Sequence, residues 1–220
     1  VIQAEGLVKV HGSGPAERRV LDGADLRADA GELVAVVGAS GTGKSTLLHL
    51  LGALERPDAG RITIDGERVD GRSERDLTGL RRRRIGFVFQ FFHLIPELTG
   101  AENVLLPTRL PGSSRGAAAH GRALIVRLGL EEAARRRPHE LSGGEQQRLA
   151  VARALVMDPP VLLADEPTGN LDEASGALVL DLLRAAAAEG RTVLCVTHET
   201  SVTAAADRVL TLADGRLHEA

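Results

Sequence analysis

The sequence has no tryptophan, no tyrosine, one cysteine, and only two lysines among its 27 cationic residues. Each scarcity narrows what the chain can be. A base-stacking nucleic-acid surface spreads aromatic rings over a platform, whereas all four phenylalanines here (Phe87, Phe89, Phe91 and Phe92) crowd around Gln90. The single cysteine, Cys195, excludes an intramolecular disulfide and suits a reducing compartment. It lies in the apolar run Thr192-Val193-Leu194-Cys195-Val196, where a small buried hydrophobe is the expected role. No apolar run approaches the roughly 18 residues that a membrane-spanning helix needs, and no stretch reads as a secretory leader. The formal net charge of −3 gives no global pull towards a polyanion. With 43% hydrophobic and 26% charged residues, the composition is that of a soluble globular protein. Its 220 residues suffice for one large domain or two small lobes.

Arginine takes nearly every basic position, so a retained lysine points to a site that needs an ammonium. Lys44 lies in Gly38-Ala39-Ser40-Gly41-Thr42-Gly43-Lys44-Ser45, which fits the nucleotide-phosphate loop pattern G-x-x-x-x-G-K-[ST]. A compact charge on a flexible stem reaches between phosphates, where a planar guanidinium would fork differently. The glycines let backbone N–H groups turn inward around an anion, and the helix that follows adds its positive N-terminal end. Residues 32–37 read as a buried strand, and Thr46 with the leucines after it opens a helix, so the flanks suit the motif. The expected ligand is a nucleoside triphosphate, with the Ser45 hydroxyl on Mg²⁺.

The remaining pattern is mostly strand and helix in alternation. Residues 2–8 and 20–26 read as strands around a Gly/Ser/Pro loop at 12–15, and residues 61–64 and 85–89 as two more. From about 91 to 139 the pattern becomes helical, with a looser Gly/Ser stretch at 112–116. Alternation resumes with a helix near 145–157, strand 161–164, helix 173–188 and strand 192–196. A helix around 201–206 and a strand pair at 209–212 and 216–218 close the chain. This order indicates an α/β core with a mostly parallel sheet, interrupted by a helical insertion.

Residues 161–166 form an apolar strand ending in two carboxylates, Asp165 and Glu166. Parallel strands bury both faces, so acids at their carboxyl ends sit where ligands bind. Asp165 would hold Mg²⁺, and Glu166 would orient or deprotonate an attacking water. Further on, Leu141-Ser142-Gly143-Gly144-Glu145 fits a helix capping box through Ser142 and Glu145. Two glycines directly after a cap do not help a helix, but they do help if backbone N–H groups approach an anion closely.

With these residues the sequence resembles the ATP-binding-cassette ATPases, whose hallmark is an LSGGQ-like stretch; Glu145 stands in place of the Gln. The resemblance covers essentially the whole chain, residues 1–220, as one cassette with an antiparallel N-terminal β subdomain and a helical subdomain at about 91–158 inserted in the phosphate-loop core. It makes Gln90 the glutamine that contacts Mg²⁺ and water, and His198 the switch histidine that contacts the γ-phosphate. Asn170-Leu171-Asp172 resembles the loop that crosses between subunits. It implies that ATP bound by Lys44 of one chain is closed over by Ser142, Gly143, Gly144 and Glu145 of another, in a head-to-tail pair. Glu166, His198 and Gln90 are then the catalytic group, and Ser45, Gln90 and Asp165 the Mg²⁺ group.

Residues 47–52, 86–96 and 101–104 are similar to the branch of lipoprotein-releasing, macrolide-exporting and cell-division cassettes. That branch implies an ATPase subunit on the inner face of the cell membrane, cytoplasmic, with an integral membrane permease on a separate chain. Two other readings are a regulatory cassette of a cell-wall or division complex and a soluble cassette acting on DNA or ribosomes. No coiled-coil or zinc insertion and no second cassette supports the last, and no nucleic-acid partner is expected. The basic runs 81–84 and 135–137 read first as solvated helix or loop surface, and second as a surface for a membrane protein or anionic lipid. One residue departs from the family: His11 stands where an aromatic, most often Tyr, stacks on adenine. Imidazole has a smaller face and can carry charge, so stacking there would be weaker and sensitive to pH. Phe87 and Phe89, two apart on a strand, are expected to face the core. Phe91, Phe92 and Leu94 are placed on the wall of the cleft that, in the family, receives the membrane subunit, with packing inside the helical insertion as the other reading.

Overall fold

The structure is a computed structural model and describes residues 1–12, 14–110, 113 and 116–220. Ser13 of the 12–15 loop, and residues 112, 114 and 115 of the expected 112–116 stretch, lie outside the described residues. The chain starts with β1 (Ile2–His11) and β2 (Arg18–Ala28), paired antiparallel, then β3 (Leu33–Val37), which leads through the glycine-rich loop into α1 (Lys44–Leu51). β4 (Ala59–Ile64) returns beside β1, and β5 (Glu67–Arg68) adds a short edge. Next come α2 (Glu74–Arg84), β6 (Ile85–Val88), α3 (Gly100–Leu105), α4 (Ala117–Arg127) and α5 (Gly143–Leu155). The remainder alternates as β7 (Val161–Asp165), α6 (Glu173–Ala188), β8 (Thr192–Val196), α7 (Thr200–Ala205), β9 (Arg208–Ala213) and β10 (Arg216–Glu219).

These elements make an α/β fold with an antiparallel N-terminal sheet, in the order β2-β1-β4-β5, and a mostly parallel sheet in the order β10-β9-β3-β8-β7-β6. Only β10 runs antiparallel to its neighbour in the second sheet. Side-chain alternation sorts that sheet's two faces. Val34, Val36, Val161, Leu163, Leu194 and Val196 pack on one side with α1 and the N-terminal sheet. Leu33, Leu162, Ala164, Val193 and Cys195 pack on the other, with Val151 and Leu155 of α5 and Val179 and Leu183 of α6. Cys195 is therefore a buried core residue, and burial pushes its thiol up to about 12. β6, β7, β8 and β3 run parallel, so their carboxyl ends reach one edge.

α2 is an element that hydrophobic periodicity did not reveal. Only Leu77 and Leu80 are apolar and buried within it, and four arginines close it. Local chemistry holds it instead. Ser73 caps its start by accepting from the Asp76 N–H, and acids in the first turn and arginines in the last suit the helix dipole. Two arginines of the 81–84 run are occupied within the chain: Arg81 pairs with Glu74, and Arg84 with Asp65 and Glu67.

The helical stretch between β6 and β7 has an apolar cluster of its own, including Val104, Ile125, Leu130, Leu149 and Val156. Because α5 gives Leu149 and Ala152 to this cluster and Val151 and Leu155 to the sheet, it bridges the two parts. At the entrance to the stretch sits Asn103, fully buried. Its Oδ1 accepts from the Ile95 N–H at 2.7 Å, and its Nδ2 donates to the carbonyls of Ile95, Leu98 and Thr99 at 3.1–3.2 Å. One amide thereby satisfies a turn that has no regular ladder. Replacing Asn103 with Ala leaves these buried groups unpaired and is expected to destabilise the chain by about 1–3 kcal/mol. Urea unfolding followed by circular dichroism checks this; an unchanged midpoint would show that water substitutes for the amide at no cost.

Candidate functional site

Gly43 caps α1 with φ of 104°, a left-handed conformation that a side chain would strain, and a Cβ there would stand 3.0 Å from the Val20 carbonyl. The loop from Gly38 to Gly43 therefore wraps closely in front of the helix N-terminus. A pocket of about 310 Å³ opens there, lined by Ser40, Gly41, Gly43, Lys44, Ser45 and Thr46 together with Val20, Gln90 and Glu166. The Lys44 ammonium folds back onto the carbonyls of Gly38 and Ala39, at 2.8 and 3.1 Å. Thr42 Oγ1 donates to the Ala39 carbonyl at 2.9 Å, and Arg18 donates to the Gly41 carbonyl at 2.9 Å, which fixes the loop from outside.

The carboxylates arrive from the end of β7. Asp165 Oδ1 accepts from Ser45 Oγ at 3.3 Å, joining two of the three residues expected around Mg²⁺. Burial pushes the Asp165 carboxyl above its usual range, and the Ser45 bond works in the opposite direction. Magnesium commonly takes one or two carboxylates and completes its shell with water and phosphate oxygens, so this hydroxyl–carboxylate pair beside a phosphate loop fits the ion.

Glu166 follows with φ of 45°, a left-handed backbone uncommon for a residue with a side chain. Its N–H donates to the Val196 carbonyl at 2.9 Å, so β8 holds the turn in place. The Glu166 side chain then meets His198 Nδ1 at 2.9 Å through Oε1. Its other oxygen, Oε2, is buried without a partner among the described residues. Strain and an unpaired buried acceptor together mark a position held for chemistry. His198 is exposed, and its hydrogen bond to Glu166 raises its pKa above the ordinary histidine value.

Gln90 lines the same pocket, in the turn just after β6. Asn170, which the sequence associated only with the loop between subunits, and Gln147, which it did not single out, hold it there. Asn170 Nδ2 donates to the Gln90 carbonyl at 3.0 Å. Gln147, fully buried on α5, donates from Nε2 to the Phe89 carbonyl at 3.3 Å and to the Pro167 carbonyl at 2.6 Å. Its signal was a polar residue on the helix face shared by buried Gly144 and Val151. His11 ends β1 with Nε2 3.2 Å from Thr46 Oγ1, so it lies at the rim of the phosphate loop.

The signature residues lie elsewhere. None of Ser142, Gly143, Gly144 and Glu145 lines the pocket. They form the start of α5, where Ser142 and Glu145 make the expected capping box. Gly144 has a reason inside the chain, since a Cβ there would stand 2.5 Å from Ser175 Oγ on α6. Glu145 accepts from Ser142 and Arg136, and as a carboxylate it has no hydrogen to offer a phosphate.

The phenylalanines divide between two places. Phe87 is half-buried and packs against the core, and Phe89 lies one residue past β6; their rings stack at 5.4 Å, 5° from parallel. Both line an apolar groove of about 650 Å³ with His93, Leu110, Arg153 and Met157. Phe91 and Phe92 do not line it: Phe91 is 70% exposed, and Phe92 turns towards Gly143. The cause is a turn with positive φ at both Phe92 and His93, whose carbonyls accept from Arg153 at 2.8 and 2.5 Å. That turn carries His93 back over Phe89, at 4.7 Å between ring centroids.

Comparison with known proteins agrees with this geometry. The sequence model of the family described as ABC transporter matches residues 21–169. The chain is 51% identical to the lipoprotein-releasing system ATP-binding protein LolD 1 of Caulobacter vibrioides, over 99% of this chain and 94% of that protein. It is 45% identical to the macrolide export ATP-binding/permease protein MacB 2 of Aeromonas hydrophila, covering all of this chain but 34% of that longer one. The dimeric, post-hydrolysis structure of the ATP-binding cassette MJ0796 with ADP and Pi superposes with a TM-score of 0.89, at 37% identity, over 100% of this chain and 97% of that one.

Two outcomes follow from the site. Replacing His11 with Tyr is expected to tighten ATP binding by about 0.5–1.5 kcal/mol, through a broader stacking face. Calorimetric titration checks it, and equal affinities would show that His11 does not touch the base. His198, followed by NMR, is expected to titrate above the usual value of about 6.5, and Glu166→Gln to lower that midpoint. The linked stability is fully present below the unfolded-state pKa and is lost as pH rises through the raised folded-state pKa. A His198 midpoint insensitive to Glu166→Gln would mean that the bond does not persist in solution.

Proposed function

The chain belongs to the ABC transporter family, and we propose that it is the ATP-hydrolysing subunit of an export complex of the lipoprotein-releasing kind, with the membrane permease on a separate chain. The observation that carries the catalytic reading is the single pocket where Lys44, Ser45, Gln90 and Glu166 meet, with Glu166 held by His198. The separate permease is supported by the match along nearly the whole length of the LolD protein, against one third of the fused ATP-binding/permease relative. Among the described residues no helix is long and apolar enough to cross a membrane. We place the chain on the cytoplasmic face, with the permease seated in the apolar groove of Phe87, Phe89, His93 and Met157 beside Gln90.

In the proposed reaction the Gly38–Thr46 loop wraps the triphosphate, and Lys44 exchanges its two carbonyl partners for phosphate oxygens. Ser45, Asp165 and Gln90 would hold Mg²⁺, which supplies charge neutralisation at the phosphates. The Glu166 carboxylate accepts the hydrogen of the attacking water and aims the water's lone pair at the terminal phosphorus. His198 keeps Glu166 pointed, and its imidazole would donate to the terminal phosphate, the role that the family resemblance gives it. Ser142, Gly143 and Gly144 of a second chain close the site, in a head-to-tail pair that exposes the same two surfaces on each copy. Their position outside the pocket of their own chain supports this arrangement, and so does the resemblance to a dimeric cassette.

Glu166→Gln removes the proton acceptor but not the phosphate contacts, so ATP binding is expected to persist while hydrolysis falls about 10²–10⁴-fold. The same variant should accumulate as a dimer with MgATP, read by light scattering. A variant that stays monomeric from micromolar to millimolar protein would count against a site shared by two chains. Lys44→Ala is expected to lose nucleotide binding, and retention of the parental affinity would remove Lys44 from the phosphate site.

A further inference from the structure

Ser142 has one hydroxyl hydrogen, and a carboxylate holds it. Glu145 Oε2 accepts from Ser142 Oγ at 3.0 Å and from the Ser142 N–H at 2.9 Å, while the Glu145 N–H donates back to Ser142 Oγ at 3.3 Å. The second carboxylate oxygen, Oε1, is taken by the Arg136 guanidinium. Arg136 is fixed at both ends. Its Nη1 donates to the Glu140 carbonyl at 3.1 Å, and its own carbonyl accepts from the Gly100 N–H at 2.8 Å. One chain of bonds thus joins the start of α3, the loop at 136–140 and the start of α5. Both charges are partly shielded, with 40% of the Arg136 side chain and 23% of the Glu145 side chain exposed. Burial works against ionisation of Glu145, yet the Ser142 donors and Arg136 hold its carboxyl below the usual range.

The following rests on the two-chain site proposed above, in which Ser142 faces the terminal phosphate of ATP held by the opposing chain. A carboxylate is a poor neighbour for that phosphate in two respects. Its charge repels the anion, more strongly as closure excludes water. It also competes for the single O–H, because an ionised carboxylate is a stronger acceptor than a neutral amide oxygen. The glutamine of the LSGGQ pattern would raise neither difficulty. Arg136 addresses both, since it cancels the charge and draws electron density towards Oε1, away from the oxygen that holds Ser142. We propose that Arg136 is a positioning residue for ATP-driven closure: by neutralising Glu145, it lets Ser142 pass its hydroxyl hydrogen from Glu145 to the terminal phosphate of the opposing chain's ATP.

The test measures, by light scattering, the MgATP concentration that gives half-maximal dimer in the Glu166→Gln parent and in variants made on it. Arg136→Leu is expected to raise that concentration about tenfold, the effect of one unpaired charge beside the phosphate. The defect should shrink as salt screens the repulsion. Adding Glu145→Gln to Arg136→Leu is expected to restore the parental value to within about twofold, because a neutral amide needs no counter-charge. Binding of a fluorescent ATP analogue to the monomer, which depends on the Lys44 loop, should be unchanged throughout. If Arg136→Leu lowers the melting temperature too far for use, Arg136→Gln carries the same expectations. Parental dimerisation by the arginine variant, or a defect that Glu145→Gln does not relieve, overturns this proposal alone. A Glu166→Gln parent that never dimerises overturns the shared site and this proposal with it.

Discussion

Four parallel strands, buried on both faces, must end at one edge of their sheet, and the chemistry of the chain depends on what stands at those ends. β3 delivers the phosphate loop, β7 delivers Asp165 and Glu166, β8 leads to His198, and β6 leads to Gln90. The groups delivered by different strands are far apart in sequence; Ser45 and Asp165, joined by a 3.3 Å bond, are 120 residues apart. Apolar alternation on the strands sets the register, and the register sets which polar side chains meet. A one-residue slip in β7 would exchange the faces of Leu162 and Leu163 and carry the carboxylates away from Ser45. Core packing and site geometry are thus the same constraint seen at two places.

The loops after the strand ends are tied to one another rather than left free. Gln147 joins the Phe89 and Pro167 carbonyls, Asn170 reaches the Gln90 carbonyl, and Thr168 donates to Glu199 at 2.6 Å. The Phe89 ring lines the apolar groove, and its carbonyl is one of the two that Gln147 holds. The other follows Glu166 directly in the chain. A partner seated in the groove would therefore press on a segment bonded to the turn that carries Glu166, the proposed catalytic carboxylate. This is a short physical route from the proposed permease contact to the Glu166 turn, and it runs through a buried amide rather than through exposed charges.

Much of this was legible in the sequence because it was periodic or local. The spans of α6 and β8 are those expected, since each is a long apolar pattern between clear turns. The phosphate loop and the acidic end of β7 could be read because glycine, lysine and paired carboxylates have few other reasons to occur in those places. What could not be read either carried little hydrophobic period or depended on contacts that only the fold makes. α2 is stabilised by caps and ion pairs, which leave little hydrophobic signal. The directions of Phe91 and Phe92 follow from a left-handed turn at Phe92 and His93 that Arg153, some 60 residues further on, stabilises. The Arg136–Glu145 pair was read as a basic run and a cap, two local features whose joint meaning appears only when the loop brings them together.

The central claim of this account is that a working nucleotide site is built from the phosphate loop of one chain and the Ser142 segment of another. Mixing two disabled chains tests it most directly. A Lys44→Ala chain keeps its signature but loses its phosphate loop, and a Ser142→Arg chain keeps the loop but blocks the signature. Single-turnover hydrolysis should be negligible for either chain alone and should reappear in an equimolar mixture, because the mixed pair contains one complete site. Full hydrolysis by the Ser142→Arg chain alone, or a silent mixture in which mixed pairs are shown to form, would contradict the account.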